Sequence, residues 1–196
     1  MHDRGGDADA WGKLPGLLAR RGFHTVSLEQ RGHGLSDGEP DPCALEGDLA
    51  EVCAALRADG RRIALVAAGG ACGPALRLGP AHGVAIHVLL SPLPVPGPEA
   101  GDGGPARPAG VDTAKLLVGG SADPAARRDI EACYRGLRGW TLWASVPVTE
   151  QGTELLRCRL ATDIQDTIAA FLRRHIGAAA GRPSPQGVAQ DEGGSP

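Results

Sequence analysis

The chain has 196 residues, a formal net charge of −3 and an isoelectric point near 6.1. That is long enough for one domain with its own core, and it lacks the basic footprint of a nucleic-acid binder. The five cysteines include no C-x-x-C pair, which argues against structural zinc and against a secreted disulfide framework; with no signal peptide and no membrane-spanning apolar run, the expectation is a soluble cytoplasmic protein without metal or cofactor.

Residues 1–9 are polar and glycine-rich and read as a loop. Trp11, Leu14, Leu17 and Leu18 share one helical face, and Gly22 stops that helix. Residues 23–28 (FHTVSL) read as a short strand, followed by a loop over 30–42 dense in Gly, Asp and Pro. A second helix carries Leu45, Leu49, Val52, Cys53 and Leu56 on one stripe and ends near Gly60. Next comes a strand over 63–66, a burst of tiny residues over 67–73, and a helical segment over 74–78. Residues 84–90 (VAIHVLL) form a near-continuous apolar strand suited to the centre of a parallel sheet.

Residues 92–110 are rich in Pro, Gly and Ala and read as a mobile surface loop. A strand over 114–118, a turn over 119–124 and a helix bearing Ile130, Cys133, Tyr134 and Leu137 follow. The last strand is 140–146. The last helix places Leu160, Ile164, Ile168 and Leu172 four apart. Residues 177–196 lack large hydrophobes and read as a disordered tail. Strands alternating with helices imply an α/β fold, a mostly parallel sheet covered on both faces, occupying residues 1–176. Ligands of such sheets bind beyond the carboxyl ends of the strands. That rule gathers the 3–6, 30–37 and 69–71 loops, Asp123 and Gln151 at one rim.

Four segments, in order, carry a resemblance. His2-Asp3-Arg4-Gly5-Gly6-Asp7, with Trp11 after it, resembles an HG-x-GG-D oxyanion loop. Arg31-Gly32-His33-Gly34-Leu35-Ser36 resembles R-G-H-G-x-S. Gly119-Gly120-Ser121-Ala122-Asp123-Pro124 resembles the G-x-x-D-P loop that carries a catalytic acid. Gln151-Gly152-Thr153-Glu154-Leu155-Leu156 resembles H-G-T-x-L-L. With these motifs the chain is identified as a member of the α/β-hydrolase superfamily, similar to lidless esterases and dienelactone-hydrolase-like members. The resemblance implies that the strand–turn–helix unit over 63–78 is a nucleophile elbow, G-x-S-x-G. It also implies hydrolysis of an ester, amide or thioester through an acyl-enzyme.

The motifs also depart from that pattern. The elbow frame reads Ala67-Ala68-Gly69-Gly70-Ala71, so the nucleophile seat is vacated at Gly69. The base seat holds Gln151, whose amide takes no proton near neutral pH. The acid position is retained at Asp123. In the oxyanion and rim loops, alongside Arg4 and Gly70, Asp3 stands where the family has Gly, and a carboxylate there opposes a developing oxyanion. The family's first three strands precede the His2 loop, where this chain begins, so the expectation is a start placed too late or an eroded gene, the alternative being a protein that folds without those strands. Strands 23–28 and 63–66 must then pair directly, leave a gap, or accept a strand from elsewhere. An edge left open invites a homodimer or a catalytic partner.

Several single residues carry rival readings. Ser36 lies in a literal G-x-S-x-G but lacks the flanking strand and helix, and reads as a turn former. Cys72 lies three residues past the expected seat and is the alternative nucleophile, against a bland role as a small buried core residue. His2 and His33 sit on rim loops, with His33 expected to stabilise its turn, and Asp123 without its partner caps the next helix. The function expected is therefore a non-catalytic or barely active hydrolase homologue. The alternatives are an ester hydrolase using Cys72, and a protein that binds a small acyl ligand or a protein partner, with neither nucleic acid nor membrane involved.

Overall fold

A computed structural model describes residues 1–3, 6–41, 43–58, 60–94, 113–137 and 139–176. The 177–196 tail and most of the 92–110 loop, both singled out above, lie outside the described residues, as does Arg4. Among the described residues the sheet has four strands: β1 (Ile63–Ala68), β2 (Val84–Leu90), β3 (Ala114–Gly120) and β4 (Thr141–Val146). They lie in the order β1-β2-β3-β4, every pair parallel. This is the mostly parallel, doubly covered sheet that the alternating pattern implies. β2 and β3 are buried almost throughout, which their continuous apolar runs demand of central strands.

Two packed clusters cover the two faces. On one, α1 (Leu14–Arg20) and α5 (Ala161–Ile176) pack Leu14, Leu18, Ile164, Ile168 and Leu172 against Ile86, Val88 and Leu116. On the other, α2 (Leu45–Arg57), α3 (Cys72–Arg77) and α4 (Pro124–Gly136) pack Leu49, Cys53, Leu76 and Ile130 against Leu89 and Leu117. The first helix ends as its glycine dictates. Gly22 takes φ +88°, and Phe23 N–H reaches back to the Leu18 carbonyl while Gly22 N–H reaches that of Ala19. Among the described residues, no helix is long and apolar enough to cross a membrane.

Several boundaries differ from the sequence reading. The helix expected from Trp11 onward is split into a 3-10 turn, Ala8–Trp11, and α1, because Gly12 breaks the run at φ +53°. β3 runs two residues further, through Gly119 and Gly120, into the expected turn. α3 starts at Cys72, with Pro74 in its first turn, where the missing N–H is not needed.

The larger correction concerns residues 23–28. They lie outside the sheet and, among the described residues, pair with no strand. A strand exists only through a hydrogen-bonded neighbour, and none lies alongside. Between this segment and β1 is a cavity of about 440 Å³. Of the three possibilities left open at the front edge, the structure has the gap.

Candidate functional site

The carboxyl ends of the strands bring the rim together from distant parts of the chain. After β1 the backbone turns sharply: Gly69 takes φ +52°, a 3-10 turn runs over Gly69–Ala71, and α3 begins. That conformation belongs to glycine at no steric cost. A Cβ on Gly69 would overlap the carboxylate of Asp3, which fills the space above the turn. Asp3 Oδ1 also accepts the Gly70 N–H at 3.1 Å. The carboxylate therefore sits where a nucleophile's side chain would project, and it holds the amide that the resemblance assigns to the oxyanion hole. Gly152 closes the same space, since a Cβ there would come within 3.3 Å of Asp3 Oδ2.

Gln151 approaches from the loop after β4. Its Nε2 donates to the Gly120 carbonyl at 3.1 Å and to that of Thr149 at 3.2 Å, and its Oε1 accepts from the Ser91 hydroxyl at 2.7 Å. Ser91 Oγ in turn accepts the Gly152 N–H at 2.8 Å. The Gln151 amide is thus bonded at both ends and acts as a bracket between the loops after β2, β3 and β4. Ser91 escaped the sequence reading. It follows the last residue of β2, is buried, and is the non-glycine residue with positive φ (+48°) among those described. Its only sequence signal was a serine wedged between an apolar strand and Pro92.

Asp123, at the retained acid position, is not joined to Gln151 by a hydrogen bond among the described residues. Its carboxylate accepts the Ala125 N–H at 2.8 Å and caps α4. Cys72 is buried in the core, its thiol against the Leu90 carbonyl. Burial first, and the Asp3 charge second, push that thiol well above the usual range. A thiol so placed stays protonated and inert.

His2 is fully buried. Its Nε2 accepts the Gln30 N–H at 3.2 Å, which leaves Nδ1 to donate to the Asp3 carbonyl at 3.0 Å. It braces the loop that carries Asp3. His33 bonds the Arg31 carbonyl within its own turn, and Ser36 N–H closes onto the His33 carbonyl. Arg31 forms a two-point ion pair with Asp48 of α2, and this contact holds the Asp48 carboxyl below its usual range.

The comparisons bear on the family and the fold. The chain matches the alpha/beta hydrolase family over residues 1–191. No curated protein matches it. Among solved structures it is similar to a monoacylglycerol lipase of Paleococcus ferrophilus, with TM-score 0.66 and 14% identity, over 89% of this chain and 93% of that one. It is similar also to XC6422 of Xanthomonas campestris, described as an a/b serine hydrolase without lid, with TM-score 0.61 and 19% identity, over 90% of this chain and 78% of that one. At these identities, the likeness to the two structures is one of fold.

Proposed function

The chain belongs to the alpha/beta hydrolase family, and on that footing we propose that it is a member without serine-type turnover, its nucleophile seat occupied by a carboxylate from its own oxyanion loop. The observation that carries this reading is the contact of Asp3 with Gly69 and Gly70. Acyl transfer needs a nucleophile, a base to take its proton, and amides aimed at the developing oxyanion. Here the first has no side chain, the second is a bonded amide, and an amide of the third is held by a fixed negative charge. Loss of such groups removes about 10⁶ in turnover in enzymes of this type.

The test is hydrolysis of short activated esters. The wild-type chain should not exceed the uncatalysed rate. Gly69→Ser with Gln151→His should gain little, because the new serine must displace the Asp3 carboxylate. Adding Asp3→Gly frees the Gly70 N–H, and the triple variant should exceed the double by about 10²-fold, the usual worth of one oxyanion donor. If the wild type turns over well above background and Cys72→Ala or alkylation abolishes it, the reading fails and the chain is a cysteine hydrolase.

A further inference from the structure

The net charge of −3 conceals an uneven distribution. Where helices run back along a parallel sheet, every helix ends where the strands begin. That end of the molecule, the base, lies opposite the rim. α1 ends on Arg20, α2 ends on Arg57, the last turn of α5 carries Arg173 and Arg174, and Arg61 and Arg62 lead into β1; all six are exposed. Among the described residues, no Asp or Glu stands in the last turns of these helices, in 60–62, in 79–83 or in 139–141. Carboxylates gather at the other end: Glu46 and Asp48 in the first turn of α2, Asp163 in that of α5, Asp123 at the cap of α4, and Asp3 at the rim. The helix macrodipole favours a basic residue at each helix C-terminus. It gives no reason for Arg61 and Arg62, which stand ahead of a strand.

Contacts join these ends into one face. Arg57 donates to the Ala81 carbonyl, and the Gly83 carbonyl accepts the Ile63 N–H beside Arg62. Arg62 Nη1 donates to the Ile176 carbonyl at 3.4 Å, at the end of α5. His175, next along, packs on Trp140 with ring centroids 4.6 Å apart, and Trp140 leads into β4. Trp140 stacks on Phe171 and is still 52% exposed. An indole half in water beside arginines suits the boundary between lipid headgroups and acyl chains, where its ring is apolar-side and its N–H wet. Arginine stems lie along such a boundary while the guanidinium groups meet phosphate or carboxylate. A nucleic-acid strand is held instead along a groove where cations and aromatics alternate. Here the cations are spread over the ends of four elements, and Trp140 stands at one margin.

We propose that the base is a docking face for an anionic lipid bilayer, with the arginines at the ends of α1, α2 and α5 and the start of β1 on the headgroups and Trp140 in the interface. The contact is peripheral and needs no spanning helix, of which the described residues have none. The carboxylates of the rim favour the same orientation, since like charge turns that end away from the membrane. This face shares no residue with the rim and is independent of the reading of Asp3.

The test is co-sedimentation of the full chain with vesicles of phosphatidylcholine alone and with about one third phosphatidylserine, at low salt. The serine lipid should tighten binding at least about tenfold, and raising salt from about 50 to 300 mM should reverse most of that gain. Arg61→Gln with Arg62→Gln, and separately Arg173→Gln with Arg174→Gln, should each weaken binding about 20-fold. Arg127→Gln with Arg128→Gln removes the same charge from the rim half of α4 and should leave binding within about twofold. Tryptophan emission should shift to the blue on the anionic vesicles, and Trp140→Phe should abolish the shift. Equal Tm values across the variants show that all remain folded. The proposal is overturned if the anionic vesicles bind no better than the neutral ones, or if the α4 variant weakens binding as much as the base variants do. It is equally overturned if emission stays unmoved while a single-stranded oligonucleotide binds through the same arginines, which makes the base a nucleic-acid face.

Discussion

Asp3 replaces a hydrogen in the pattern it resembles, and its effect on the rim follows from two atoms. Oδ1 takes the Gly70 amide and Oδ2 fills the space beside Gly69 and Gly152. Gly120 matters on the opposite side. A Cβ there would overlap the Glu150 carbonyl and come within 2.7 Å of both the Val148 carbonyl and Gln151 Nε2. These are mostly backbone atoms that have no rotamer to give. Gly120→Ala should destabilise by about 1–3 kcal/mol, the usual cost of overpacking, read from the urea midpoint. Asp123→Ala should lose about 1 kcal/mol, the worth of a helix cap. It should leave ester hydrolysis in the triple variant lower only if Asp123 regains its orienting role once a histidine stands at 151. Comparing Asp123→Ala in the wild-type and triple-variant backgrounds separates the cap from the acid. The Asp3 contact was illegible in the sequence, because it joins residues 67 positions apart. A motif comparison marks Asp3 as out of place but says nothing of where its carboxylate goes.

At the scale of elements, the strands and helices with strong apolar patterning were readable, and their pH response follows from one of them. His87, inside β2, is fully buried. Its Nδ1 accepts from the Thr113 hydroxyl at 2.7 Å, and its Nε2 lies 2.9 and 3.0 Å from the Ala75 and Leu78 carbonyls. That set suits the neutral ring, which accepts at one nitrogen and donates at the other. Burial pushes the ring down to about 4, the nearby Lys115 charge acting in the same sense, against the two carbonyls, which favour the charged form. In the unfolded chain the ring titrates near 6.5. Between those values the unfolded state binds the proton and the folded state does not, so stability falls as pH drops from 6.5 and levels near 4. The loss should be on the order of 3 kcal/mol. Urea titrations at several pH values test it: the difference between wild type and His87→Gln should narrow as pH falls through this window. Nothing in the apolar run VAIHVLL told a reader whether its histidine was a ligand, a base or a core residue. The answer lies in the carbonyls at the end of α3, brought to it only by folding.

At the scale of the molecule, legibility broke down where structure depends on a neighbour rather than on local pattern. Residues 23–28 have the composition of a strand and the conformation of an extended chain, yet form no ladder, since the position beside them is a cavity. The same asymmetry governs which parts of the fold open first. β2 and β3 have a strand on both sides and packed clusters above and below. β1 has a strand on one side and, on the other, the Met1 backbone bonded to Val66 and Ala68 and, below it, the cavity. Local opening free energy follows buried contacts and paired backbone. Native-state hydrogen exchange should therefore find the β2 and β3 amides released only with global unfolding. Within β1, the Ala64 and Val66 amides point to the same side as the Ala68 N–H that meets the Met1 carbonyl, toward the cavity, and should exchange far faster than their β2-facing neighbour Leu65. Residues 24–28 should exchange fastest of the three sets, as an extended segment with no ladder, while the Phe23 N–H is held by the Leu18 carbonyl. Uniform protection across β1 would mean that the cavity closes in solution. The two-residue alternation is the result expected if it stays open along the strand.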